Sequence, residues 1–431
     1  MKISGEDVFF VNYVRDPSKV LLYAPLRSYL AIVSRNTMTG IVSGTDQRAL
    51  DQIMGKLKPR PLIDILKLHE SIKRAIPELS LALTDNCNLK CRYCHHAAGD
   101  EGKRQGMTRE MLVALYETYL RRLPTPSKAR IVFAGGGEPT YQRSLFCFAV
   151  NRAKEIADGL ALELEFRMAT NGCFDDEVRD FIHKQFKEIS LSFDGPKHVQ
   201  DKHRPLKNGE GSFDRVYKTA CYFRDTGFPF ALRATISSYS IPFLRETINF
   251  FAEHFPGKHV GLEPLNPFGR GAYDAEIRPP DKEKFAEALT DAYGYAKGKN
   301  IVLVNAAVGK FTHLRTVFCG AVAIPNWTVT TAGRLSCCTR DNAPEVFDYG
   351  CFDAKHRVFS LNSEKLERIG KLNVFEYPEC QDCFCKYHCA GDCPDLRLSG
   401  LLNCDANRKL GEFWLNEHID RNSRNNEQSN N

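Results

Sequence analysis

Residues 79–97 read LSLALTDNCNLKCRYCHHA, an apolar run followed at once by a loop carrying Cys87, Cys91 and Cys94. The run is short and ends on polar Asp85 and Asn86, the pattern of a buried strand that opens into a loop. Three thiolates in a Cys-x3-Cys-x2-Cys spacing can each take one iron of a cubane and leave the fourth iron open. His95 and His96 follow, so a zinc site is the competing reading, although zinc wants a fourth ligand close by.

Outward from this loop, strand-like and helix-like segments alternate. The strands are LSLALT, ARIVFAG, LELEFRMATN, EISLSFDG, FALRATIS and HVGLEPLNP, and helical patterns such as TREMLVALYETYLRRL and DDEVRDFIHKQF lie between them. Each parallel crossover needs a helix to bring the chain back, so the alternation predicts a parallel sheet, and six strands predict an α/β fold, a partial (β/α)6 TIM-like barrel. In such a barrel the functional residues gather at the C-terminal strand ends, where the cysteine loop already sits. Residues 1–58 read as a small N-terminal α+β unit, residues 59–300 as the barrel with its entry and bridging helices, and residues 301–410 as a cysteine-rich domain. Residues 411–431, ending DRNSRNNEQSNN, read as an unstructured tail.

Composition narrows the class. Of 431 residues, 59 are Lys or Arg and 53 Asp or Glu, interleaved along the chain, so the net charge of +6 describes a mixed solvated surface and predicts no nucleic-acid partner. No uncharged run approaches the ~20 residues that span a bilayer, which predicts no membrane partner, and the first residues lack a secretory signal pattern. A cytoplasmic protein is expected. In a reducing compartment, 16 clustered cysteines point to metal or redox chemistry rather than disulfides.

The cysteine loop resembles the radical S-adenosylmethionine superfamily motif, with Tyr93 in its aromatic place. Gly136, Gly137 and Glu138, followed by Pro139, resemble the family's GGE motif one strand-helix unit later. The resemblance implies that Cys87, Cys91 and Cys94 hold a 4Fe-4S cluster whose open iron chelates the methionine end of S-adenosylmethionine. Electron transfer then yields a 5'-deoxyadenosyl radical. It also implies cofactor contacts from Tyr93, Gly136, Gly137, Glu138, Asn171 of ATNG, Ser192 and Asp194 of SLSFDG, and Arg233.

The later cysteines run Cys319, Cys338, then Cys380-x2-Cys383-x5-Cys389-x3-Cys393, then Cys404. This order resembles the SPASM domain, an extension with twin auxiliary clusters. By that resemblance Cys380, Cys383, Cys389 and Cys404 hold an outer cluster, and Cys319, Cys338 and Cys393 an inner one. The inner cluster's fourth ligand is open between Cys337, Cys351 and none, and the count becomes three 4Fe-4S clusters. Zinc pairs would explain the same Cys-x2-Cys spacing, and the upstream loop weighs against them. Cys147, Cys173 and Cys221 read as buried small hydrophobes, and Cys385 has no assigned role.

Two subclasses of that family compete. Sulfatase maturases carry a glutamine just before TNG and an acid right after the inner-cluster cysteine, where this chain has Ala169 and Thr339. The other subclass crosslinks ribosomally made precursor peptides, often with an N-terminal winged-helix-like element that takes the leader peptide as an added strand. The expected function is therefore a peptide maturase forming a C–C or thioether crosslink, with a flavodoxin- or ferredoxin-type electron donor. Another protein-modifying or small-molecule radical oxidase, and a non-catalytic metal scaffold, are the alternatives. Asp341 is the candidate catalytic base.

Overall fold

The computed structural model describes residues 2–3, 6–72, 78–100, 106–124, 127–308, 313–323, 327–340 and 342–428. After a short pair of strands come β1 (Phe9–Asn12), β2 (Lys19–Ala24) and β3 (Tyr29–Ser34), an antiparallel sheet with β2 in the middle. Helices α1 (Arg35–Val42) and α2 (Gln47–Leu57) follow. Each starts on a side-chain cap, Ser34 accepting from the Thr37 N–H and Asp46 from the Ala49 N–H, which satisfies a donor the first turn leaves free. Helix α3 (Ile65–Ile72) ends this section.

Strands β4 (Glu78–Leu81), β5 (Ser127–Phe133), β6 (Leu162–Thr170), β7 (Glu188–Ser192), β8 (Phe230–Ile236) and β9 (His259–Pro264) form the expected parallel run. The helices among them include α4 (Arg109–Leu120), α5 (Arg143–Asp158), α6 (Asp176–Gln185), α7 (Lys197–His203), α8 (Phe213–Asp225) and α9 (Leu244–His254). After α10 (Lys282–Tyr295), a further strand β10 (Val302–Val304) joins β9 in parallel.

Alternation along these strands shows which face packs. Ala129, Ile131 and Phe133 of β5 are buried while Arg130 and Val132 between them are only half-buried. Phe133 stacks its ring with Phe146 of α5, Phe166 of β6 and Phe186, so the buried set faces the helices. The alternate set of β6 and β8, including Ala169, Arg233 and Thr235, is left on the opposite, barrel-interior face.

At the other edge β11 (Trp327–Val329) pairs in parallel with β4, and an antiparallel ribbon of β12 (Arg334–Ser336), β13 (Asp348–Asp353) and β14 (Val358–Leu361) extends it. Helix α11 (Ser363–Gly370) follows. The chain ends in α12 (Lys386–Cys389), α13 (Pro394–Leu398) and α14 (Cys404–Gln428). Among the described residues, no helix is long and apolar enough to cross a membrane.

The chain divides into two compact units, one of residues 1–74, 306–323 and 371–431, the other of residues 75–305 and 324–370. The boundaries expected from sequence group these residues differently. The stretch 301–410 is not one body, because β11 to β14 belong to the barrel sheet. The N-terminal strands do not stand alone either: Phe9, Val11, Leu21 and Tyr23 share a core with Leu415, Phe384 and Ile419. The tail expected to lack structure from residue 411 is helical to Gln428, since Leu415 and Ile419 give α14 an apolar side that this sheet covers.

Candidate active site

In the barrel unit, the loop after β4 is held by backbone pairs. Lys90 N–H donates to the Pro205 carbonyl at 2.8 Å and Arg92 N–H to that of His203 at 2.9 Å. The Arg92 guanidinium grips Asp274 with two bonds of 2.7 and 2.8 Å, a bidentate geometry that fixes orientation as well as distance. Arg270, which the sequence reading missed, donates from Nε to the Cys91 carbonyl at 2.8 Å and from its backbone to that of Cys94 at 3.0 Å. Gly269 beside it has φ +54°, and a Cβ there would lie 2.1 Å from the His95 carbonyl oxygen.

The GGEP segment reaches the same loop from β5. Gly137 N–H donates to the Thr84 carbonyl at 2.6 Å and Glu138 N–H to that of Asn86 at 2.9 Å. A Cβ on Gly137 would fall 1.9 Å from the Asn86 oxygen, so these glycines permit two backbones to touch. Glu138 itself is buried, and its carboxylate accepts from Thr140 N–H and Oγ1, Thr170 Oγ1 and Asn171 N–H. Burial pushes its pKa up, and those donors work against the rise. The carboxylate clamps the ends of β5 and β6 together, a role the sequence did not reveal.

Burial pushes the Cys87 and Cys91 pKa up to about 12, and the nearby Cys94 adds to the rise in both. Donors point at the sulfurs: Leu89 N–H to Cys87 at 3.4 Å, Asn171 Nδ2 to Cys87 at 3.6 Å and Ala98 N–H to Cys94 at 3.4 Å. Such donors suit thiolate ligands, so these residues fit the 4Fe-4S group. Among the described residues no three His, Cys, Asp or Glu converge on a single ion, whereas a cubane asks each thiolate to meet a different iron.

Asp194 lies two residues beyond the end of β7. It is 1% exposed, and its carboxylate accepts from the Tyr93 hydroxyl, from Arg204 Nε at 3.1 Å and from Thr235 N–H at 2.9 Å, and pairs with His203 Nδ1 at 3.0 Å. Burial alone would raise its pKa, but Arg204, His203 and Tyr93 carry it well below the ordinary carboxylate value. Asp194 and Tyr93 thus anchor the cysteine loop to β7, with His203 and Arg204 as partners the sequence gave no signal for. Ser192 and Arg233 are register partners on neighbouring strands, and Arg233 is exposed, so this pair remains open to a ligand.

Thr339 stands by the GGE loop: its Cβ would lie 3.7 Å from a Cβ on Gly135. Asp341 lies outside the described residues. Cys337 is buried, and Cys351 is exposed on β13. Cys351 pairs in register with Arg334, four residues before Cys338 along the chain.

In the other unit, Cys383 and Cys404 lie near enough to Cys380 to raise its pKa, and Cys383 also raises that of Cys404. Burial, opposed by Arg397, takes Cys380 to about 11, and burial takes Cys389 to about 12. Of the expected inner ligands, Cys319 and Cys393 belong to this unit and Cys338 to the barrel unit. Cys385, left without a role by sequence, is buried and would meet a Cβ on Gly411 at 2.7 Å, which makes it a packing residue beneath α14.

Residues 81–255 match the Radical SAM superfamily model. The chain is 26% identical over 226 residues to a cysteine-type anaerobic sulfatase-maturating enzyme of Clostridium perfringens, covering 50% of this chain and 60% of that one. It is 31% identical over 212 residues to an uncharacterized protein of Methanothermobacter thermautotrophicus, covering 48% of this chain and 72% of the other. The chain thus spans about 60% of the length of the curated sulfatase-maturating relatives it matches. The solved structure of native anSMEcpe with bound AdoMet and Cp18Cys peptide shares the fold, with TM-score 0.62 and 16% identity over 80% of this chain and 99% of that one. The cysteine loop, the GGEP approach and these matches together place the chain in the radical SAM superfamily of enzymes.

Proposed function

We propose that the protein is a peptide maturase that removes a hydrogen from a side chain of a ribosomally made precursor peptide and closes an intramolecular C–C or thioether crosslink. The observation that carries this reading is that the chain holds, besides the Cys87, Cys91 and Cys94 loop, a second group of neighbouring thiols at Cys380, Cys383 and Cys404. When bound, the cluster and S-adenosylmethionine supply the hydrogen-abstracting radical.

The chain's own residues do the rest. The open Ser192 and Arg233 pair suits the ribose and carboxylate of the cofactor. The Asp194 and Arg270 networks hold the cysteine loop still, and second-site thiolates hold the clusters that remove the electron left over when a crosslink closes. With the inner cluster counted, three 4Fe-4S clusters result, fed by a flavodoxin- or ferredoxin-type donor.

The relative solved with a Cp18Cys peptide supports a peptide substrate, as do the sulfatase-maturating relatives. Ala169 on the barrel-interior face and Thr339 beside Gly135 weigh against formylglycine formation, because neither can act as an acid or base. The N-terminal sheet suits leader recognition: both its faces are covered, so a peptide would add at an edge, and β3 is the less buried edge, with Ile32 38% exposed.

The test is anaerobic purification with iron and sulfide counting, then mass spectrometry of a co-expressed neighbouring small peptide after addition of dithionite and S-adenosylmethionine. About twelve irons per chain, 5'-deoxyadenosine and a peptide losing two hydrogens per bond are expected. Cofactor cleavage with formylglycine, or with no change in the peptide, would overturn the crosslinking assignment.

A further inference from the structure

The surroundings of the second thiol array differ in kind from those of the first. Asn407, buried in α14, donates from Nδ2 to Cys389 Sγ at 3.3 Å. Arg397 donates from one terminal nitrogen to Cys380 Sγ at 3.8 Å while its plane lies 3.8 Å from the Tyr377 ring centre. The same nitrogen bonds the Gly391 carbonyl at 2.6 Å, which fixes the guanidinium beside the sulfur. Arg408 and Arg315 add positive charge near the array. Glu379 pairs with Arg397, Asp405 with Arg408 at 2.5 Å, and Asp392 also lies near, so the site is not purely cationic. Even so, two of the four thiols have a side-chain N–H donor, one of them charged.

The first array has backbone and amide donors only. Beside it lie the buried carboxylates Glu138 and Asp194, and the guanidiniums Arg204 and Arg270 are paired with Asp194 at 3.1 Å and Asp100 at 2.7 Å. Hydrogen bonds and positive charge at sulfur favour the reduced, more negative form of a cluster, whereas nearby carboxylates disfavour it.

We propose that Asn407 and Arg397 are donors to the sulfur ligands of the outer cluster and raise its reduction potential above that of the cluster at Cys87, Cys91 and Cys94. The outer cluster is thereby the electron acceptor of the pair. This rests on the reading that Cys380, Cys383, Cys389 and Cys404 hold that cluster.

The test uses full-length protein with Cys87, Cys91 and Cys94 replaced by Ala, loaded anaerobically and titrated against potential by electron paramagnetic resonance. Cys380→Ser identifies the outer signal by removing it together with about four irons. If that variant keeps the parent's iron and signals, the cluster assignment itself fails. With the signal identified, Asn407→Leu and Arg397→Gln should each keep the iron and shift its midpoint downward by a factor of about ten in the reduction equilibrium, ~59 mV for one electron. An unchanged midpoint at full iron content overturns the proposal.

Should both variants lose the cluster, the parent protein decides. Selective 15N labelling of asparagine and arginine must give 15N hyperfine coupling in the reduced outer signal, and its absence overturns the proposal. In intact protein the Cys87, Cys91 and Cys94 signal must titrate at lower potential than the outer one, and the reverse order also overturns it.

Discussion

The two cysteine arrays are built from opposite materials. Around Cys87, Cys91 and Cys94 the chain assembles buried carboxylates and pairs the nearby guanidiniums Arg204 and Arg270 with Asp194 and Asp100. Around Cys380 and Cys389 it brings a guanidinium and an amide to the sulfurs. The barrel loop is gripped mostly through its backbone, the later array through its ligands. The contrast shows that thiol spacing says where iron can bind and the shell of charge says what the iron is for.

The strongest way to break this contrast is Cys91→Ala. It should abolish 5'-deoxyadenosine formation and remove about four irons while the C-terminal irons remain, as iron counting and product chromatography would show. Loss of all iron would mean the arrays do not load independently.

Next is Asp194→Asn, which leaves Arg204 buried without its counter-charge at a cost of about 4 kcal/mol of stability, measured by urea unfolding. The folded pKa of Asp194 lies below its unfolded value, so its contribution is complete above that value and falls as the pH drops through it. The difference between wild type and variant should thus stay constant down to about pH 4 and shrink below it. Arg204, once freed, should also raise the potential of the first cluster and narrow the gap between the arrays.

In the other unit, Asp7 pairs with Lys386 at 2.9 Å and accepts from the Tyr387 hydroxyl at 3.0 Å, both partners lying between Cys383 and Cys389. Asp7→Asn should cost about 3 kcal/mol and lower iron retention at the second array only, read by unfolding and by iron lost on dilution. The smallest effect belongs to Cys351→Ser, which should leave iron content and spectra unchanged; loss of iron would revise the register argument.

What could be read in the sequence was local: an apolar strand running into three spaced cysteines, a glycine pair before Glu138, and alternating periodicities. These features carry their meaning within a few residues. The jobs of Asp194 and Glu138 stayed hidden, because a carboxylate's role depends on partners such as Arg204, Thr235 and Thr170 that only the fold delivers. Cys351 looked like a ligand by count, and only the pairing of β12 with β13 shows that its register partner is Arg334. The split of residues 301–410 was equally invisible, since nothing near Trp327 announces a partner at Leu79.

That last pairing also sets an order of events. Strand β4 leaves the ribosome long before β11, and β2 long before α14, so each must wait for most of the chain to be made. Until then the row of amides on the outer edge of β4 and the Phe9, Val11, Leu21 and Tyr23 face have no cover, a template for association with other chains. Closing such distant contacts is slow. The nascent protein is therefore most vulnerable just before its last helix emerges, and its yield in cells should respond to synthesis speed and chaperone supply more than its final stability suggests.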